Sequence, residues 1–435
     1  MNEAIHGTTI NKVGSYENSI VRLKGWLYNK RSSGRIIFLI LRDGTGIIQC
    51  VASRKDIGDE AFDHLDRLNQ ESSLIIEGTI RKDSRAPGGF ELGITNCEVI
   101  SEAFEDYPIS LKEHGVEFLL DNRHLWIRTP RQRAILTIRA AIMKYCRDFL
   151  DEEGYINIDA PILTPSACEG TTTLFSTEYF GEKAYLSQSG QLYNEAAIMS
   201  LGKVYCFGPA FRAEKSKTRR HLTEFWMVEP EAAFMQFDEL LALEERMVSY
   251  VVKKLLENYE PELRDVGRDP ETLACIEPPF PRITYTEAVG ILQAKGIDIS
   301  WGEDFGAPHE TEIASEYGKP VFVTHYPTKI KAFYMQPDPN NPEVVLGADL
   351  LAPEGYGEII GGGERIYDYS LLLERIKEHK LPPEDYQWYL DLRKYGSTPH
   401  SGFGMGIERV VAWLCKLEHV RETSPFPRMI TRLRP

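Results

Sequence analysis

Apolar positions recur with two different periods along the chain, and the change comes near residue 130. Between residues 20 and 105 they fall in short runs, IVRLKGWLYNKR, RIIFLILRD, GIIQCVAS, SSLIIEGTIRKD and ELGITNCEVIS, broken by SSG, DGTG and APGG. Gly and Pro at such places punctuate strands. A stretch of helical spacing from about 56 to 69 separates the third run from the fourth. Five strands with a helix in that position predict an OB-type barrel. From 105 to 125 the periodicity disappears around Pro108, His114 and Gly115, which predicts a linker. The segment RQRAILTIRAAIMKYCRDFLDEE then repeats apolar residues at helical spacing and predicts a helix from Pro130 to about Glu153, stopped by Gly154. It leads into a strand, YINIDAPIL, that ends around Pro161, a pairing of elements able to form a self-association surface. The expected organisation is a barrel over 1–105, a linker over 106–125 and a second domain over 126–435.

The second domain is organised around residues 204–231, VYCFGPAFRAEKSKTRRHLTEFWMVEPE. Two apolar runs flank a polar loop carrying Lys215, Lys217, Arg219 and Arg220, which predicts a hairpin with a long basic tip. Arg212 and Glu214 stand where the first strand runs out, and His221, Phe225 and Glu229 stand on the return. An antiparallel pair of this kind can hold a planar base against Phe225 and an anion against Arg212. Further strands are predicted in PVFVTHYP, IKAFYM and VVLGADLLAPEGYGEIIGGGERI. In the last of these, Asp349 and Glu358 flank a glycine-rich approach, the arrangement Mg2+ takes beside phosphate oxygens. SGFGMGIERVVAWLCKL places Gly402, Gly404 and Gly406 on a strand, and Arg409 in the first turn of the helix that follows. That spacing is not the dinucleotide GxGxxG, and no βαβ unit follows it. Glu169, Gln188 and Gln191 form a polar set suited to a small zwitterion.

Charge narrows the partners. The 435 residues carry a formal net charge of -15, which speaks against a general nucleic-acid or DNA binder. The acid is concentrated after the first domain, however, and residues 18–42 hold six basic residues with no acid at all. Beside that stripe, Arg31, Phe38 and Gln49 can stack on and hydrogen-bond unpaired bases, although Phe38 in an Ile-rich strand reads equally well as core. The scattered cysteines include no CxxC pair, no apolar run reaches about 18 residues, and the N-terminus lacks the pattern of a signal peptide. These features predict a cytoplasmic protein without a membrane span.

Three blocks in order, the helix and strand ending at Pro161, the FRxE hairpin, and GxGxGxER running into a helix, resemble the three motifs of class II aminoacyl-tRNA synthetases. The N-terminal barrel resembles that of the subclass serving aspartate, asparagine and lysine. CEGTTTLF, QSGQLYNEA, EKSKTRRHLTEFWMVEPE, HYPTKIKAFYMQPDP and PEGYGEIIGGGERI are similar to the bacterial asparaginyl branch. The resemblance implies an α+β fold: an N-terminal OB-fold β-barrel plus a class II catalytic domain, an antiparallel sheet flanked by helices that dimerises through its first motif. It implies ATP bound with adenine between Phe225 and Arg409, near Gly406. Arg212 would hold the α-phosphate, Glu214 the adenine amino edge, and His221 with Arg409 the γ-phosphate. Asp349 and Glu358 match Mg2+ ligands. Glu169 and Gln191 match positions at the α-amino end of the amino acid, while Glu229 and Arg365 would face a side-chain amide. Asn194 stands where aspartyl enzymes carry a lysine. Arg31, Phe38 and Gln49 match anticodon-reading residues, which favours the stacking role for Phe38. Partners implied are L-asparagine, its tRNA and a second copy of the chain. The alternatives are a non-discriminating aspartyl enzyme, an asparagine synthetase-like enzyme on the same fold, or an RNA-binding module without catalysis.

Overall fold

The computed structural model describes residues 5–110, 112–168, 173–216 and 218–435. The chain forms two compact units, Met1–Trp126 and Ile127–Pro435. In the first unit, β1 (Ile20–Ser33), β2 (Ile36–Arg42), β3 (Ile47–Ser53), β4 (Ser73–Lys82) and β5 (Phe90–Ser101) close on themselves in the order β1–β2–β3–β5–β4–β1. This is the OB barrel, with α1 (Asp59–Arg67) between β3 and β4 in the chain. Alternation sorts the residues of β2: Ile37, Leu39 and Leu41 are buried in the barrel core, whereas Phe38 faces outward and is half-buried. The stretch expected as a linker carries two short helices, Val116–Asp121 and Arg123–Trp126. Elements of six and four residues are too short to show a helical period, which is why the sequence pattern does not reveal them.

The second unit is built on eight strands: β6 (Ile156–Asn157), β7 (Lys203–Phe211), β8 (Glu224–Ala233), β9 (Arg282–Thr284), β10 (Val321–Thr324), β11 (Gly347–Ala352), β12 (Gly357–Glu364) and β13 (His400–Gly406). Their order in the sheet is β9–β10–β11–β12–β13–β8–β7–β6. The six central strands are antiparallel, and only the short edge strands β6 and β9 join in parallel. Helices α2 (Pro130–Glu152), α4 (Phe237–Asn258) and α6 (Ile407–Leu414) share one apolar core with the sheet, among them Ile138, Met247 and Trp413 packed with Val228, Leu350 and Met405, and α3 (Gln191–Leu201) lies between α2 and α4 in the chain. A second core gathers Tyr285, Phe305, Val323, Tyr326, Phe333 and Tyr389. Adjacent residues of β10 go to opposite cores, Phe322 to the first and Val323 to the second, so apolar layers cover both faces of the sheet. A strand over IKAFYM is not formed. Phe333, Tyr334 and Met335 are consecutive buried residues in a turn segment, and burial of three neighbours in a row defeats the alternation a half-exposed strand requires.

Candidate active site

The hairpin forms as its pattern predicts. β7 and β8 pair from Lys203 opposite Ala232 to Phe211 opposite Glu224, so Arg212 and Glu214 leave the sheet where Phe225 enters it. The Arg212 guanidinium lies 5.4 Å from the centre of the Phe225 ring. Both line a cavity of about 400 Å3 together with Glu214, His221, Gly406 and Arg409. Arg409 reaches this cavity because α6 begins directly after β13, which pairs with both β8 and β12. Its Nη1 donates to the Glu358 carbonyl at 2.7 Å and lies 3.4 Å from Glu358 Oε2. His221 Nε2 lies 3.6 Å from Glu214 Oε2. Burial, and then the charge of Arg409, push the His221 pKa down.

A second cavity of about 260 Å3 adjoins the first, and Arg212, Met227, Asp304, Glu358 and Gly404 line both. Gln191, Glu229, Asp349 and Arg365 stand on its wall. Glu229 accepts a hydrogen bond from Ser189 Oγ and one from Gly190 N at 2.9 Å. Burial raises its pKa, and those two donors oppose the shift. Asn194 does not enter the cavity. Its Nδ2 donates to the Glu229 carbonyl at 2.7 Å, so the position carries a neutral strut beneath the acid. Arg365 is paired by two bonds, at 3.0 and 3.1 Å, with the carboxylate of Glu231. Lys331, a half-buried cation of the same wall, is paired with Asp349 at 2.7 and 2.9 Å. Gln188 stands off the cavity, held by Cys168 N and Thr173 Oγ1. Glu169 lies outside the described residues.

Asp349 and Glu358 converge over a bare stretch of backbone. A Cβ placed on Gly361 would lie 2.8 Å from Glu358 Oε1 and 3.4 Å from Asp349 Oδ1. Burial raises the Asp349 pKa against the pull of Lys331, whereas for Glu358 burial is outweighed by Arg409 and Lys331 and the carboxyl stays below its usual range. Two carboxylates meeting over a glycine fit a hard cation that takes few protein ligands and keeps its waters.

Several buried residues of the site carry no mark in the sequence. Glu195 Oε2 accepts from Tyr389 at 2.7 Å and Arg393 at 2.6 Å, and lies 2.9 Å from His400 Nε2. Its other oxygen accepts from Gln191 Nε2 at 3.0 Å, which fixes that pocket amide. Glu195, Glu231 and His400 lie close to one another, with Glu195 paired to Arg393 and Glu231 to Arg365. The one available signal was alternation, which places Glu231 on the same face of β8 as Glu229.

In the first unit Arg31 and Phe38 are cross-strand partners, with the guanidinium 4.7 Å above the ring. Gln49 on the next strand faces outward as Phe38 does and donates to Glu91 Oε2 at 3.2 Å.

Residues 115–430 match the family described as tRNA synthetases class II (D, K and N), and residues 21–100 match the OB-fold nucleic acid binding domain. The chain belongs to this family of class II aminoacyl-tRNA synthetases. Within it, the chain is 61% identical over 426 residues to the asparagine–tRNA ligase of Pelotomaculum thermopropionicum, covering 98% of this chain and 99% of that one. The structure of asparaginyl-tRNA synthetase from Pyrococcus horikoshii complexed with asparaginyl-adenylate is similar with a TM-score of 0.95 and 48% identity, covering all of both chains. The aspartyl tRNA synthetase of Entamoeba histolytica is similar at 26% identity and a TM-score of 0.85, over 98% of this chain and 92% of that one.

Proposed function

We propose that this chain ligates L-asparagine to its tRNA through an asparaginyl-adenylate. The carrying observation is that Lys331 and Arg365, the cations of the second cavity's wall apart from the shared Arg212, are each already paired with a carboxylate. A substrate carboxylate there finds both charges already compensated, and meets Glu229 as well. A side-chain amide needs no counter-charge. Its NH2 donates to Glu229 and its oxygen accepts from Arg365 Nη1, whose neighbour is the weak acceptor Met335 Sδ at 3.7 Å. Each 1.4 kcal/mol of such difference is tenfold in preference, and an unpaired charge in a buried site costs several kcal/mol.

ATP fits the first cavity, with adenine between Phe225 and Arg409, Glu214 at its amino edge, and the phosphates toward Arg212 and His221. The α-carboxylate of asparagine, ionised at neutral pH, attacks the α-phosphorus in line. One P–O bond forms, the bond to the β-phosphate breaks, and pyrophosphate leaves. Arg212 lines both cavities, so it neutralises charge where the two substrates meet, and positioning with charge compensation supplies the acceleration. Asp349 and Glu358 would hold Mg2+, which when bound neutralises phosphate charge. A terminal hydroxyl of the tRNA then attacks the acyl carbon and AMP leaves. The outward face of the barrel, with Arg31, Phe38 and Gln49, reads the anticodon by stacking and hydrogen bonding. A homodimer through α2 and the following segment is supported by the exposed Ile156, Ile162 and Leu163. No helix among the described residues is long and apolar enough to cross a membrane, and a cytoplasmic location is part of the same reading.

The test is amino-acid-dependent exchange of pyrophosphate into ATP, with asparagine and aspartate compared side by side. Asparagine-dependent exchange is expected. Preference for aspartate overturns the substrate, and exchange with neither overturns the activity.

A further inference from the structure

We infer that Glu310 is a positioning residue for the phosphate end of the nucleotide cavity, clasping the hairpin loop to the head of β12. The inference rests on the ATP reading above and adds to it a residue from an element that none of the three motif blocks contains. Glu310 lies on α5 (Ala307–Ala314). A single oxygen, Oε2, accepts from Arg220 Nη1 at 2.8 Å and from the Glu358 backbone N–H at 3.3 Å. Arg220 uses its other terminal nitrogen to donate to Thr311 Oγ1 at 2.8 Å and to the Gly355 carbonyl.

The consequence lies one bond away on each side. His221 follows Arg220 in the chain, and Glu358 is itself the residue whose N–H is held. These two approach the phosphates from opposite elements, a loop and a strand end, so neither is fixed relative to the other by the sheet ladder. Glu310 supplies that fixing. The Arg220 and Glu310 side chains are 8% and 16% exposed, unlike the solvated surface pairs that contribute little. The backbone has made room for them. Gly357 adopts φ +70, and a Cβ there would lie 2.1 Å from Glu310 Oε2 and 2.4 Å from Arg220 Nη1. Glu310 and Arg220 also stand on the wall of the nucleotide cavity, and Glu310 acts on the reaction by placing His221 and Glu358.

The experiment replaces Glu310 by glutamine in the full chain and separates the two substrates in the exchange assay. The expected result is a fall of about ten- to a hundredfold in kcat/KM for ATP, the scale of a displacement of about 1 Å at a reacting centre. The KM for asparagine stays within about twofold, and inhibition by AMP is unchanged because AMP lacks the outer phosphates. Arg220→Lys keeps the charge and removes the fork, so it carries the same test if E310Q fails to fold. The double variant should be no worse than the poorer single one, as for two residues acting as a unit. A kcat/KM for ATP within about twofold of the unaltered chain overturns the clasp, as do parallel losses for ATP, AMP and asparagine, or additive losses in the double variant. Absence of exchange in the unaltered chain overturns both the clasp and the reading beneath it, whereas normal exchange in both variants overturns the clasp alone.

Discussion

Gly361→Ala adds one methyl group to the middle of β12, where the backbone is extended and tolerates alanine. The added carbon would lie 2.8 Å from Glu358 Oε1, whereas ordinary contacts begin at 3.4 Å, so Glu358 has to retreat. Retreat takes the carboxylate off the point where it meets Asp349 and disturbs the 3.4 Å approach of its Oε2 to Arg409 Nη1. Overpacking of this kind costs about 1–3 kcal/mol, and displacement of a positioning group by about 1 Å costs up to about a hundredfold in rate. Exchange should therefore fall by about ten- to a hundredfold, or about 1.4–2.7 kcal/mol of barrier. The half-saturating Mg2+ concentration should rise with it, while AMP still binds. The assay is asparagine-dependent exchange across a Mg2+ titration, with thermal unfolding run in parallel to show that the fold survives. A rate within about threefold of the unaltered chain at the same Mg2+ dependence would refute the convergence of Asp349 and Glu358 on a common cation.

Three other changes probe separate parts of the molecule. Arg212→Ala should abolish exchange while leaving the oligomeric state intact, as checked by sedimentation; near-normal exchange removes Arg212 from the chemistry. Phe38→Ala should weaken tRNA charging while asparagine-dependent exchange is unaltered, since base stacking is worth about 1–3 kcal/mol per base; equal charging kinetics would return Phe38 to a purely structural role. Glu244 is fully buried on α4, neither of its carboxyl oxygens has a hydrogen-bond partner among the described residues, and burial raises its pKa well above the usual value. Because the folded state holds this proton and the unfolded state releases it, stability is lost as pH rises above the unfolded carboxyl pKa, by up to about 1.4 kcal/mol per pH unit. Glu244→Gln should flatten that slope in denaturant titrations between pH 5 and 7; identical slopes would show that Glu244 is charged or solvated.

Much of this was legible in the sequence, for identifiable reasons. The barrel was readable because its strands keep one face wet, and the hairpin because two apolar runs bracket a basic loop. Arg212, Phe225, Glu358 and Arg409 stood out because charge or aromaticity occurs there against glycine or apolar neighbours. Lys331 and Glu310 did not. Glu310 lies in a segment without a strand period and Lys331 in one that mimics a strand, and what matters is a partner 48 or 18 residues away, a relation that only the fold creates. The Glu195 cluster was hidden for the same reason, since its three partners on Tyr389, Arg393 and His400 come from nearly 200 residues further along. IKAFYM misled because β-branched and aromatic content mimics a strand where the segment turns inward.

The two cavities share a wall formed in part by Arg212, Glu358 and Gly404. A covalent product that spans both compartments loses its freedom of tumbling once, whereas its two precursors each lose it separately. Such a compound should therefore leave more slowly than either precursor, which would let a labile acyl phosphate await a slow macromolecular acceptor without escaping to water.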